Sequence, residues 1–285
     1  MEKIKIFVVY HKPHLIVGDD IYIPIQAGRA ICSDNNILSD MIGDNTGDNI
    51  SERNPYYSEL TAEYWAWKNV HDVEYIGFQH YRRFFNFKVT KDNIDSIFEK
   101  GKYDIIMRHV RFPKTVESHF IRYTSLEDMT ILMMVVRQKY PEYEQTLLKH
   151  LWDCEVYPNN MFICKKDIFD QYATWLFDIF FECEKYIRHS PYYRGKRTFA
   201  YFGEFMLPVY MLHNGYRIKR SRIVSVLGEK DSWSLKNSIK SLIVKIYMIT
   251  VKRFRNIPKS IEDYYKPDVM VGFEHDGINP LKINF

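Results

Sequence analysis

The sequence predicts an α/β fold in which a mostly parallel central sheet is flanked by helices, and three observations carry this reading. Ile4–Tyr10 and Tyr75–Gln79 are near-continuous apolar runs, the pattern of strands buried on both faces. Amphipathic stretches of helical spacing alternate with such runs, which favours a wound sheet over a bundle or a sandwich. With 285 residues, 46% hydrophobic and 27% charged, the chain is long and apolar enough to bury a substantial core.

Taken in order, KIKIFVVYHK is the first strand and ends in His11 and Lys12. Residues 33–54, rich in Asp, Asn, Ser and Gly, are expected to form a long polar loop in which Asp44, Asp48 and Asn49 serve turn chemistry before any metal role. Asn54 and Pro55 supply a helix start. One helix is expected through YYSELTAEYWAWKN, with Leu60, Tyr64 and Trp67 on one face. DVEYIGFQHYRRFF holds the second strand and Tyr103–Val110 the third. Two helices follow, Leu126–Lys139 and Pro141–Trp152, divided by the proline.

Val156–Lys166 reads as a short strand broken by Pro158 and an asparagine pair, and a helix is expected from Asp167 to about Arg188. Gly203 is expected at a turn, with a helix entered near Glu204 and ended by Asn214-Gly215. RIKRSRIVSVL closes the sheet. Leu235, Ile239, Leu242, Ile243 and Ile246 then recur at helical spacing among Lys236, Lys240, Lys245, Lys252, Arg253 and Arg255. Such a helix, over residues 233–256, either lies on an anionic membrane surface or packs on the body with a solvated basic face. The expected division is residues 1–228 for the main domain and 229–285 for a C-terminal helical extension and tail.

Composition narrows the function classes. The 22 Tyr, 19 Phe and 5 Trp make 16% of the chain, suited to core packing and also to stacking on sugars or bases. Cys32, Cys154, Cys164 and Cys183 form no C-x-x-C pair, so neither a zinc site nor a disulfide scaffold is expected, and a reducing cytoplasm fits. The chain opens without a signal-peptide pattern, and no run reaches the ~18 to 20 apolar residues that span a bilayer. A formal charge of +4 is too small to argue for nucleic acid.

The placement of charge says more than its sum. In open α/β sheets ligands bind at the carboxyl ends of strands. Tyr10, His11 and Lys12 occupy one such end, and His80, Tyr81, Arg82 and Arg83 another, so two cationic strand ends suggest a diphosphate site. The alternative is that Arg82 and Arg83 pair with carboxylates and hold a sheet edge.

YHK after the first strand, ELTAEYWAWKN, YIGFQHYRRFF, YPNNMFICKK and the late YFGEF together resemble a family of bacterial capsular and exopolysaccharide biosynthesis proteins, long catalogued as a domain of unknown function. The resemblance spans about residues 4–225. Its members are regarded as glycosyltransferases, some of them galactofuranosyltransferases.

The resemblance implies a GT-A-like fold that takes a nucleotide sugar, expected to be a UDP-sugar, and passes the sugar to a glycan or polyprenyl-linked acceptor at the inner face of the membrane. Many such enzymes carry a D-x-D motif that holds Mn or Mg on the donor; here QHYRR occupies that slot. No metal set is therefore assigned, although His80 could still ligate an ion. Arg82 and Arg83, with His80, are expected to stabilise the leaving diphosphate directly. Glu204 is the expected base, by inverting transfer, against the alternative of a glutamate on the helix dipole. Relatives lead one to expect arginine after this glutamate, whereas Phe205 follows here. Asn159 and Asn160 are expected either to hold sugar hydroxyls or to bond their own backbone in a turn. Rival readings are an inactive scaffold of a capsule assembly complex and a phosphosugar transferase.

Overall fold

A computed structural model describes residues 1–33, 38–112, 114–189, 195–225, 242–243, 246–247 and 257–264. The chain begins with β1 (Glu2–Tyr10), β2 (Tyr22–Gln26) and β3 (Ile42–Gly43). A short helix α1 (Asn54–Tyr57) and the helix α2 (Leu60–Asn69) lead to β4 (Val73–His80) and β5 (Arg83–Phe85). Then come α3 (Ile94–Ile97), β6 (Ile105–Arg108), β7 (Val110–Arg111), α4 (Val116–Phe120), α5 (Leu126–Lys139) and α6 (Glu144–Leu151). The remaining elements are β8 (Glu155–Val156), β9 (Phe162–Lys165), α7 (Lys166–Cys183), α8 (Thr198–His213), β10 (Ile218–Ser221) and β11 (Ile223–Ser225).

The main sheet runs in the order β10-β6-β9-β4-β1-β2-β3, with β5 and β11 continuing from the tip of β4. Along that path every strand points the same way except β9, which lies antiparallel to both β4 and β6. The expected α/β architecture with a mostly parallel sheet is therefore present. The apolar run of β1 has a simple cause: Phe7 and Val9 enter a core beneath α2, α5, α7 and α8, while Ile4, Ile6, Val8 and Tyr10 enter a second core on the opposite face.

Several local expectations are corrected. The helix expected from Asn54 breaks at Ser58, whose backbone is left-handed (φ 48°, ψ −123°). Asn54 is spent on that break rather than on a cap, since its Nδ2 donates to Ser58 O at 2.8 Å and to Thr61 Oγ1 at 3.1 Å. Gly203 does not make a turn, and Glu204 does not open a helix, because both lie inside α8. A Cβ on Gly203 would stand 2.9 Å from Asn160 Oδ1 and 3.1 Å from Leu60 Cδ1, so the glycine is there to let α8 close on its neighbours. The closing strand is split at Arg222: β10 joins β6, and β11 crosses to β5. Trp67 stacks on Phe177 at 5.7 Å, in keeping with its expected packing role.

The polar stretch after residue 33 is organised by one carboxylate. Asp44 is fully buried and accepts from Gly28 N (2.8 Å), Arg29 N (3.1 Å), Ser51 Oγ (2.5 Å) and Thr61 Oγ1 (2.6 Å). Asp48 and Asn49 likewise serve the turn, the first accepting from Tyr64 Oη and the second capping Ser51 N.

The expected helix over 233–256 lies outside the described residues apart from two helical pairs, 242–243 and 246–247, where Leu242, Ile243, Ile246 and Tyr247 are exposed. Residues 257–264 return to the body. Ile261 and Tyr264 are buried, Glu262 pairs with Arg137 of α5, and Tyr264 Oη donates to Glu117 Oε1 at 3.2 Å. No described helix is long and apolar enough to cross a membrane.

Replacing Asp44 by Ala strands four donors around a buried hole, at a cost of about 3 kcal/mol or more. Urea titration should show a lower midpoint at an unchanged slope.

Candidate active site

The parallel strands direct their carboxyl ends toward one edge, and the candidate residues gather there. β1 ends at Tyr10. The Tyr10 side chain is fully buried, and its hydroxyl donates to Leu15 O (3.1 Å) and accepts from Val17 N (2.9 Å), so it shapes the loop carrying His11 and Lys12. β4 turns into β5 through the two residues Tyr81 and Arg82, with His80 paired to Arg83 across the hairpin. Tyr81 is buried, stacks on Tyr10 at 5.2 Å and meets the edges of His11 (5.4 Å) and His14 (5.0 Å). One ring thus joins the two expected strand ends, and the Arg82 guanidinium lies over that same ring, 5.2 Å from its centre.

Charge at this edge differs from expectation in one respect. Burial, reinforced by Arg197, Lys12, His80 and Arg82, pushes His11 down to about 4. Burial also lowers His80, against the opposing pull of Glu59. Both imidazoles are neutral at pH 7, so the positive charge resides in Lys12, Arg82, Arg83 and one residue the sequence reading missed, Arg197. His80 Nε2 lies 2.8 Å from Asn159 O; a carbonyl can only accept, so this nitrogen carries the proton.

Beneath the hairpin lies a buried polar centre. Asn159 and Asn160 both adopt left-handed backbone (φ 72° and 47°) in the turn before β9. Neither asparagine uses its side chain on its own backbone. Asn160 Nδ2 donates to Glu59 Oε1 (3.0 Å) and Ala200 O (3.1 Å), while the Oδ1 atoms of Asn159 and Asn160 are buried without a protein partner. Glu59, 7% exposed, also accepts from Arg197 at 3.2 Å and stands 4.0 Å from His80 Nε2. Three non-glycine residues in left-handed backbone, Ser58, Asn159 and Asn160, converge on this carboxylate, a concentration of strain typical of functional sites.

Glu204 is 7% exposed and faces the same centre. Burial, with the nearby Glu59 charge, raises it to about 8, against the Asn159 backbone N–H, Arg197 and Arg108. Its position in the middle of α8 removes the helix-dipole alternative. The site can therefore offer a carboxyl group poised to exchange a proton near neutral pH, beside a cationic rim. Among the described residues no cluster of three or more His, Cys, Asp or Glu side chains could hold a metal ion, and the cysteines are unpaired. A separate apolar cleft of about 390 Å³ lies beyond the hairpin, lined by Tyr22, Phe84, Phe87 and Val224 among others, and shares no residue with this centre.

Glu59 and Arg197 were missed because their partnership is made only by folding: Glu59 sits in ELTAEY, and Arg197 ends the basic run RGKR ahead of α8, far from either cationic strand end in the sequence. The YFGEF motif gave the glutamate but not its surroundings.

Residues 5–215 match the family described as "Domain of unknown function (DUF4422)". Among solved structures the chain resembles one described as "WbbM bifunctional glycosytransferase apo structure", with 28% identity, a TM-score of 0.69 and coverage of 80% of this chain. The chain spans 46% of that larger protein. This likeness, with the strand order above, makes the fold GT-A-like. No curated protein matches the sequence.

A carboxyl raised by burial makes the folded state hold a proton that the unfolded chain releases near 4.5. Stability therefore falls as pH climbs from about 4.5 to about 8 and levels off above. Glu204→Gln should remove this share of the slope, on the order of 4 kcal/mol between pH 5 and pH 9. Thermal melts of both proteins across that range provide the check.

Proposed function

This chain belongs to the DUF4422 family, and we propose that it is a glycosyltransferase that moves a sugar from a UDP-sugar to a glycan or polyprenyl-linked acceptor in capsule or exopolysaccharide synthesis. The observation that carries the reading is the buried Glu204, raised to about 8, set against a rim of Lys12, Arg82 and Arg83 at the carboxyl edge of the sheet. The likeness to a glycosyltransferase structure supports the same class.

In this reading the ionised Glu204 takes the proton from an acceptor hydroxyl. The hydroxyl oxygen attacks the anomeric carbon, and the bond to the nucleotide diphosphate breaks with its electron pair leaving on the phosphate oxygen. One bond forms and one breaks on opposite sides of the carbon, so the configuration inverts. Arg82 and Arg83 neutralise the departing charge, as guanidinium groups suited to phosphate oxygens. Tyr10 and Tyr81 hold His11 and Lys12 against the nucleotide, with neutral His80 beside it. The orphaned Oδ1 atoms of Asn159 and Asn160 are acceptors for sugar hydroxyls. Galactose or galactofuranose is the proposed sugar. Contact with the inner membrane face through residues 233–256 would bring the site to a lipid-borne acceptor.

Purified protein incubated with a panel of nucleotide sugars, with and without chelator, should release free nucleotide diphosphate by mass spectrometry; release of the monophosphate would indicate phosphosugar transfer instead. Arg82→Ala should lower turnover ~10 to 100-fold, the loss of one charged hydrogen bond in the transition state. Wild-type turnover in that variant would remove Arg82 from the mechanism. In the active enzyme the rate should rise with pH through about 8 as Glu204 loses its proton, and Glu204→Gln should be inactive at every pH.

A further inference from the structure

The cations proposed for the nucleotide diphosphate, Lys12, Arg82 and Arg83, come from the end of β1 and the β4–β5 hairpin. The opposite wall is α8, and the residue that precedes it is Arg197. Its Nε donates to Ser58 Oγ at 2.7 Å and its terminal nitrogen to Glu59 Oε2 at 3.2 Å, while 41% of the side chain remains exposed. The guanidinium plane is held along one edge, and its charge is felt by groups on three other elements: His11 after β1, His80 at the end of β4 and Glu204 within α8. The Glu59 carboxylate that holds Arg197 stands 4.0 Å from His80 Nε2, which sets this cation close to the end of β4.

We propose that Arg197 is a donor-binding residue that grips the diphosphate from the side facing Arg82 and Arg83, and that Glu59 is the positioning residue that aims it. This rests on the glycosyl-transfer reading and deepens it. Fixing a guanidinium before the anion arrives lowers the ordering cost of binding. The left-handed Ser58 serves the same end, since the bend it makes sets its own hydroxyl and the following carboxylate side by side against one arginine. The groups facing Glu59 are Arg197, Asn160 and His80; those facing Glu204 are Glu59, Arg197, Arg108 and the Asn159 N–H. Arg197 is common to both, so an anion seated on it is coupled to the base.

Titration calorimetry with UDP and with uridine, which has no phosphate, tests this. Arg197→Met should weaken UDP binding ~10 to 100-fold and leave uridine binding unchanged, since one charged phosphate contact is removed. Arg197→Lys, which keeps the charge but not the fork, should give an intermediate loss and covers the case in which the methionine variant fails to fold. Glu59→Gln should weaken UDP a few-fold with uridine unaffected. A UDP-to-uridine affinity ratio that is the same in wild type and the arginine variants overturns the proposal, as does an equal loss for both ligands, the mark of a merely structural arginine. If the wild-type protein binds none of UDP, GDP, CDP, dTDP and ADP, the donor reading itself fails.

Discussion

The buried Glu59 carboxylate is the point on which the site turns. It receives the Asn160 amide from the turn before β9, the Arg197 guanidinium from the approach to α8, and lies close to the His80 ring at the end of β4. Three segments, the farthest of them 138 positions from Glu59 in the chain, are thus referred to one pair of oxygens. A carboxylate in a low-dielectric setting is tolerated only where hydrogen bonds compensate for lost water, so these contacts are conditions for Glu59 being there at all. The left-handed residues on either side of it follow from the same demand, because only those bends bring the donors within reach.

The carboxylate also governs its neighbours electrostatically. Glu204 feels it as a like charge and holds its proton more tightly; His80 feels it as an opposite one, too weak to offset burial. One further turn along α2, Glu63 is buried and raised well above the ordinary carboxyl range by desolvation and by Glu59. Acid groups therefore accumulate beneath the site while cations ring its mouth, a division that suits a proton acceptor below and an anionic substrate above.

Much of this was readable in the residues and some was not. The strands were legible because double-sided burial leaves an unbroken apolar run, as in Ile4–Tyr10 and Tyr75–Gln79. The helix of Leu126–Lys139 matched its expectation residue for residue, since Ser125 caps it through Asp128 N and Pro141 ends it. The break at Ser58 was hidden because a serine gives no sign of a left-handed backbone, and a local bond from Asn54 with a tertiary one from Arg197 holds it. Gly203 misled in the opposite way: glycine suggests a turn, yet here the missing Cβ makes room for Asn160 and Leu60. Histidine counted as positive charge in the sequence, and burial cancelled it. The pairing of Glu59 with Arg197 depends wholly on topology and leaves no local trace.

The return of residues 257–264 onto α4, α5 and α6 has a mechanical consequence. Its contacts join positions 114 to 147 apart in the sequence, Gln145 with Lys259 and Glu117 with Tyr264, and so carry the closure cost of long-range pairing. Burial of Ile261 and Tyr264, with the Arg137–Glu262 pair, stands against that cost. Residues 257–264 fastened in this way brace α4, α5 and α6 against one another. Any pull on this segment is delivered to the helices under the core.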